Sequence, residues 1–248
     1  MRFTHKLKKL GTGVAFESAG HHLRRLLLKR RLPTDFDAEA VMQTIDREKF
    51  ETIRARYQVD NPGDDPPKYL DWQTWLEANL RRIRDLELDL GGHRTVLDIG
   101  CGTGYFLYLC RLLGHDILGL DTDDFPMFRE MTELLGVPRL IWRVQGFVPL
   151  PDLGRQFDVI TAYMICFNNH KMPGLWGVAE WDFFLDDITR HLSSRGRIWL
   201  ELNREYNGTC YTPELKELFE SRGAQVISHR VIFNQASRAR AAIAQDAR

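Results

Sequence analysis

The sequence predicts an α/β protein in which a doubly wound, mostly parallel sheet follows an amino-terminal helical extension. Three observations support this fold class. Between residues 95 and 201, short apolar runs alternate with segments of helical spacing, which is typical of βα units. The first of these runs leads directly into a glycine-rich turn and then a helix. Upstream, residues 37–57 and 69–90 carry apolar side chains at helical intervals.

The elements can be assigned in order along the chain. Helices are predicted over 37–57, with Asp35 or Asp37 as the N-cap, and over 69–90, ended by Gly91 and Gly92. Strands are predicted at 95–99, 116–120, 140–144, 158–164 and 197–201. Helices are predicted between and after them at 104–113, 125–135, 181–191 and 213–221. Residues 225–234 form a last extended stretch, long enough for one strand or a small hairpin.

Three regions follow from this assignment. Residues 1–90 are expected to form a basic and helical extension that serves as a lid or substrate region. It has an amphipathic stripe at 21–31 and a proline-rich, acidic linker, DNPGDDPP, at 60–67. Residues 91–236 form the α/β domain. Residues 237–248 are predicted to be a tail.

Composition narrows the class of protein. The 248 residues have a net charge of zero, but residues 1–31 contain nine Lys or Arg and one acid, which leaves −8 for the remainder. Such a basic arm can contact a nucleic acid, an anionic membrane surface or the protein's own acidic body. No apolar stretch is long enough to span a membrane and no signal peptide is evident, so a cytoplasmic protein is expected. The four cysteines lack C-x-x-C spacing and predict reduced thiols, with no metal site.

The most informative segment is VLDIGCGTGYF, residues 96–106. A buried strand carrying Asp98 runs into three alternate glycines, Gly100, Gly102 and Gly104. Glycine tolerates positive φ and lets the backbone approach a ligand, so this turn predicts a nucleotide site at the carboxyl end of a strand. The spacing is not that of a dinucleotide fingerprint, because Tyr105 stands where the third glycine would be required. No lysine follows for a phosphate-binding P-loop.

The segment closely resembles the first motif of class I S-adenosylmethionine-dependent methyltransferases. That resemblance implies S-adenosyl-L-methionine as the cofactor and a Rossmann-like sheet of seven strands. It also implies that Asp98, Gly100, Cys101, Gly102 and Gly104 contribute to the cofactor site.

Further cofactor contacts are expected where the next strands end. Asp121 closes the second strand, and the resemblance implies that its carboxylate accepts hydrogen bonds from the cofactor ribose, beside Thr122. The following Asp123 and Asp124 are expected to cap the next helix.

The third and fourth strands add contacts that the resemblance implies for the adenine and methionine ends of the cofactor. Gln145, Gly146 and Phe147 follow the third strand; Phe147 stands where an acid is usual, so Gln145 is the candidate polar contact and Phe147 a packing surface. Ala162 and Tyr163 lie on the fourth strand as candidate neighbours of the methionine half.

Candidate catalytic residues follow the fourth and fifth strands. His170 is the side chain best suited to remove a proton near neutral pH, with Asn168 and Asn169 as substrate contacts, although a loop histidine can equally cap or face water. Glu201 is a second candidate base.

The loop after the fourth strand contains three further candidates. Cys166 lacks the preceding proline of cytosine-carbon methyltransferases and is expected to be a buried thiol. Trp176 and Trp181 could stack on a planar substrate or pack against the sheet.

The expected activity is methyl transfer from S-adenosylmethionine to an oxygen or nitrogen atom of a small-molecule acceptor. Two alternatives remain open. One is an RNA methyltransferase that uses residues 1–31 to hold the phosphates, and the other is a non-catalytic S-adenosylmethionine-binding protein.

Overall fold

One sheet organises the protein. A computed structural model describes residues 36–60, 62–63 and 65–234. Its strands are β1 (Thr95–Ile99), β2 (Asp116–Asp121), β3 (Arg139–Ile141), β4 (Phe157–Ile165), β5 (Leu192–Leu202), β6 (Gln225–Ile227) and β7 (Arg230–Phe233). Their order across the sheet is β3-β2-β1-β4-β5-β7-β6, and β7 runs antiparallel to both of its neighbours. The predicted fold class is confirmed, and residues 225–234 supply two strands as a hairpin.

Helices cover both faces of this sheet. They are α1 (Ala38–Met42), α2 (Arg47–Tyr57), α3 (Trp72–Asp85), α4 (Tyr105–Leu112), α5 (Pro126–Leu134), α6 (Val178–Arg190) and α7 (Pro213–Ser221), with a 3-10 helix at Pro66–Leu70. Residues 1–35 and 235–248 lie outside the described part of the chain, so the predicted stripe at 21–31 and the predicted tail are not tested.

Two predicted helices are shorter than expected. The single helix over 37–57 is wrong: Asp37 caps α1 as predicted, but Asp46 caps a second helix by accepting a hydrogen bond from the Lys49 N–H at 3.1 Å. The helix predicted over 69–90 is confined to α3, because the chain turns at Glu87, whose φ is +51°. The third strand is also shorter than predicted and ends at Ile141.

Successive side chains of a strand point to opposite faces of the sheet, so alternate residues contribute to two different hydrophobic cores. Val96 faces the core built with α1–α5, whereas Leu97 and Ile99 face the core built with α6 and α7. The helices that precede β1 therefore share a core with the sheet. Within the described residues, no helix is long and apolar enough to cross a membrane.

The register of the parallel strands brings their carboxyl ends to one edge. Ile99 pairs with Leu120 across β1 and β2, and Asp98 pairs with Thr161 across β1 and β4. The loops that follow these strands therefore meet, and this edge holds the candidate site.

Candidate active site

The glycine loop is held against the end of β2 by its own backbone. The N–H of Gly100 donates to the carbonyl of Leu120 at 2.7 Å, and the N–H of Gly102 donates to Oδ2 of Asp121 at 2.6 Å. Gly100, Gly102 and Gly104 have φ of +77°, +54° and +80°, a region that other residues rarely adopt. A Cβ on Gly100 or Gly102 would meet no atom within 4 Å, so the loop borders open space that a ligand can enter.

A fourth glycine, which the sequence analysis missed, permits this close approach. A Cβ on Gly119 of β2 would lie 2.6 Å from Sγ of Cys101. The buried Cys101 side chain therefore packs against β2, and this residue offers only its backbone to the open side of the loop. The pattern G-L-D at the end of β2 is the sequence signal that could have identified Gly119.

Asp121 lies where the sequence analysis expects a ribose-binding carboxylate. Its Oδ2 accepts the Gly102 N–H, and its Oδ1 accepts the Thr122 N–H at 2.7 Å. Burial raises the pKa of this carboxyl, and the two backbone N–H groups oppose that shift. The carboxylate thus joins the glycine loop to the end of β2 and retains lone pairs for further donors.

The two acids that follow do not cap the next helix, which corrects the expectation for them. Asp123 pairs with Arg129 and Arg139, and Asp124 pairs with Arg143 at 2.5 Å. The N-cap of α5 is Phe125, which makes no side-chain capping bond.

Asp98 is a buried acid under the loop. Its Oδ1 accepts a hydrogen bond from Oγ1 of Thr161 at 2.7 Å. Burial raises its pKa to about 7, and the Thr161 hydroxyl and the Arg82 charge oppose the shift.

The Arg82 guanidinium stacks 3.9 Å from the ring centre of Tyr163. The buried Tyr163 hydroxyl has no hydrogen-bond partner among the described residues, while Ala162 is completely buried.

Glu201 belongs to an ion-pair network beside this group. Its Oε2 accepts from Nη2 of Arg82 at 3.1 Å, and its Oε1 lies 3.3 Å from Nε of Arg230 and 3.4 Å from Nε1 of Trp199. Both carboxylate oxygens of this buried side chain are thus engaged. Nothing in the local sequence indicates the pairing, because Arg82 lies on α3, far along the chain.

The segment after β3 lies at the same edge. Gln145 is exposed, and Phe147 is 54% exposed, has φ of +61° and meets the Phe183 ring edge-on at 5.9 Å between centres. A Cβ on Gly146 would lie 3.0 Å from Cγ of Glu180, so this glycine lets the segment approach α6.

The tryptophans of the neighbouring loop form part of the core. Trp176 and Trp181 are buried, and their rings meet edge-on at 5.6 Å between centres. Packing is therefore their role in this structure, and the stacking alternative is not supported.

His170 is held by an acid that the sequence analysis missed. Its Nδ1 lies 2.8 Å from Oε1 of Glu205, and Oε2 of Glu205 accepts the Lys171 N–H at 2.9 Å. Nearby, Asn168 is buried, and Asn169 donates from Nδ2 to the Gly174 carbonyl at 2.8 Å. No sequence motif indicates Glu205, because it follows β5 and lies 35 residues beyond His170, which follows β4.

Cys166 differs from expectation. It is exposed, not buried, and its sulfur lies 3.2 Å from Nδ2 of Asn203. Partial shielding of the sulfur from water raises the thiol pKa, which is the opposite of what an activated nucleophile requires.

A mostly parallel sheet with a glycine loop after β1 and a carboxylate at the end of β2 is typical of a Rossmann-like nucleotide-binding fold. A family model described as a methyltransferase domain matches residues 69–229, and the chain belongs to this family. The family is one of methyltransferase domains, and the resemblance of the glycine loop implies S-adenosyl-L-methionine as the cofactor. The glycine loop and Asp121 fit that cofactor, since they provide an open backbone cradle and a carboxylate beside it.

Individual relatives differ in what they act on. The chain is 28% identical over 134 residues to the tRNA U34 carboxymethyltransferase of Campylobacter hominis, covering 53% of this chain and 42% of that protein. It is 29% identical over 127 residues to the ribosomal protein L11 methyltransferase of Laribacter hongkongensis, covering 51% and 35%. The chain thus spans less than half the length of these curated relatives. Among solved structures, it is similar to DesVI of Streptomyces venezuelae, with 18% identity, a TM-score of 0.49 and coverage of 71% of this chain and 98% of that one.

Proposed function

We propose that this methyltransferase acts on an oxygen or nitrogen atom of a small-molecule acceptor bound beside the carboxyl end of β4. The observation that supports a base-assisted transfer is the pairing of His170 with Glu205 in the loops at this edge. The charge of residues 32–248 supports a small acceptor, because these residues sum to −8 and would repel a polyanion.

The cofactor would be held by the loop and by the ends of three strands. Backbone groups of Gly100 and Gly102 would border it, and the Asp121 carboxylate would accept from the ribose hydroxyls. Gln145 and Phe147 would contact the adenine. The remaining predicted contacts are Asp98, Cys101, Gly104, Thr122, Gly146, Ala162 and Tyr163.

When bound, S-adenosylmethionine supplies an electrophilic methyl carbon whose bonding electrons stay with sulfur as the bond to it breaks. The acceptor atom forms the new bond to that carbon and loses a proton, which His170 takes up at Nε2. Much of the rate would come from alignment, since orientation alone can remove a large part of a barrier. We do not assign Glu201 as the base, because Arg82 and Arg230 engage both of its oxygens.

Titration calorimetry with S-adenosylhomocysteine tests the cofactor site. We expect Asp121→Ala to weaken binding by tenfold or more, or about 1.4 kcal/mol, because it removes the carboxylate from the ribose. Asp124→Ala is the matched control, since Asp124 is exposed and pairs with Arg143. Unchanged affinity in Asp121→Ala would refute the ribose role.

Transfer of a tritiated methyl group to two cellular fractions tests the acceptor class. One fraction holds small metabolites and the other holds total RNA. We expect label in the first, and loss of that label with His170→Gln. Label in RNA that falls steeply with salt would instead support the alternative, which the basic residues 1–31 and the similarity to a tRNA-modifying enzyme favour.

A further inference from the structure

We propose that Glu205 is a positioning residue for methyl transfer: it fixes His170 with the proton on Nδ1, which leaves Nε2 as the proton acceptor. The inference rests on the proposed role of His170 as the base. It assigns a function to a residue that follows β5.

The first support is the pair of contacts made by one carboxylate. Oε1 of Glu205 lies 2.8 Å from Nδ1 of His170, and Oε2 accepts the Lys171 N–H at 2.9 Å. Both side chains are only 13% exposed, so little water competes for this hydrogen bond. Two bonds to adjacent residues prevent the carboxylate from rotating away from the ring.

The second support is the chemistry of the partners. An ionised carboxylate only accepts hydrogen bonds, so Nδ1 of the imidazole must be the donor. In a neutral ring with one proton, Nε2 then carries the lone pair. Among the described residues, Nε2 makes no hydrogen bond, so it is available to a proton from the acceptor.

The third support is where the pair lies. The strands β4 and β5 are parallel neighbours that end at Ile165 and Leu202, which are themselves paired. His170 and Glu205 follow those ends, at the edge that also carries the glycine loop. Asn203 ties the loop after β5 to the end of β4 by donating from Nδ2 to the Met164 carbonyl at 2.9 Å.

The backbone around His170 is strained. Met164 and Lys171 have φ of +51° and +54°, a left-handed conformation that is costly for such side chains, whereas asparagine tolerates the +59° of Asn169 more readily. Strain of this kind persists where surrounding contacts hold it and is concentrated at functional sites. The Glu205 bond to the Lys171 N–H is one such contact, and Lys171 directly follows His170 in the chain.

A carboxylate that merely fastens two loops would show the same distances, so the experiment must report on the imidazole itself. Long-range proton–nitrogen NMR of the full chain labelled with nitrogen-15 histidine identifies which ring nitrogen carries the proton, and His170→Gln assigns the signal. We expect an unprotonated Nε2 in the wild type at pH 8 and a shift toward protonated Nε2 in Glu205→Ala. A wild-type ring with the proton on Nε2, or an unchanged tautomer in Glu205→Ala, would overturn the inference.

A second measurement separates the effect of the Glu205 charge on the imidazole from its effect as a contact that joins the two loops. Glu205→Gln keeps an oxygen and a hydrogen-bonding side chain in the same place, so the loops stay joined but the negative charge is lost. We expect the rate of carbethoxylation of His170 by diethyl pyrocarbonate, followed by peptide mass spectrometry, to fall, because an amide can donate as well as accept and no longer restricts the proton to Nδ1. The exposed Glu220→Gln is the control. An unchanged rate in Glu205→Gln would reduce Glu205 to a loop contact.

The outcomes distinguish the inference from the function on which it rests. If His170→Gln leaves methyl transfer intact while the NMR result holds, then His170 is not the base and the proposed function fails at that step. If Nε2 is protonated in the wild type while His170→Gln abolishes transfer, His170 is required for transfer, but the role of Glu205 and proton uptake at Nε2 both fail. In labelled transfer, Glu205→Gln should lower turnover and leave the Kd for S-adenosylhomocysteine unchanged.

Discussion

The dependence of stability on pH tests whether the Asp98 carboxyl is buried beneath the glycine loop. Burial raises its pKa to about 7 from an ordinary value of 3.8. An acid whose pKa is raised in the folded state stabilises the protein while it is protonated, and that contribution is lost as the pH rises through the folded-state pKa. From these two values, the wild type should lose about 3 kcal/mol of unfolding free energy between pH 5 and pH 8 through this group alone.

The perturbation is Asp98→Asn. Asparagine keeps the oxygen that accepts the Thr161 hydroxyl at 2.7 Å and cannot ionise. Other groups also titrate over this range, so the quantity to compare is the difference between variant and wild type. We expect the unfolding free energy of the variant to rise relative to that of the wild type by about 3 kcal/mol as the pH rises from 5 to 8.

Urea denaturation of the protein without cofactor, at several pH values, provides the measurement. Asp60→Asn is the control for the substitution itself, because Asp60 is exposed. If the curves for Asp98→Asn and wild type stay parallel from pH 5 to pH 8, Asp98 is not ionising in a desolvated environment, and the reasoning is refuted.

Three other predictions concern the packing of side chains or a buried ion pair, and they are also measured by urea denaturation. Gly119→Ala should cost about 1–3 kcal/mol, because the new Cβ would meet Cys101 Sγ at 2.6 Å, and adding Cys101→Ala should restore part of the loss; no restoration would contradict the close-approach explanation. Arg82→Met should cost about 3–5 kcal/mol by leaving the buried Glu201 short of a partner, and adding Glu201→Leu should recover much of it. Trp181→Ala should cost about 3–5 kcal/mol, since the ring is 1% exposed; a small loss would mean that it is not core.

The parts of the fold that were predicted correctly depend on short-range chemistry. The strand, glycine loop and helix around Gly100 are contiguous, and φ requirements and apolar spacing specify them locally. The errors occurred where a helical pattern competed with a capping side chain, or where residues distant in the sequence took a side chain's hydrogen bonds. A helical pattern runs through Asp46, yet its side chain caps a new helix there. Asp123 and Asp124 look like caps, yet arginines from elsewhere take both carboxylates.

The two halves of the proposed site therefore differ in how much of their geometry the sequence could predict. The cofactor half is built from the ends of β1 and β2, which are joined by a single helix, so the predicted Asp121 lies against Gly102 as a direct consequence of the βα unit. The acceptor half is built from segments that meet only because β4 and β5 are adjacent. His170 and Glu205 are 35 residues apart, and no spacing rule connects them. Because the proposed acceptor half lies in the loops after β4 and β5, we expect substitutions there to alter the acceptor without disturbing the cofactor cradle.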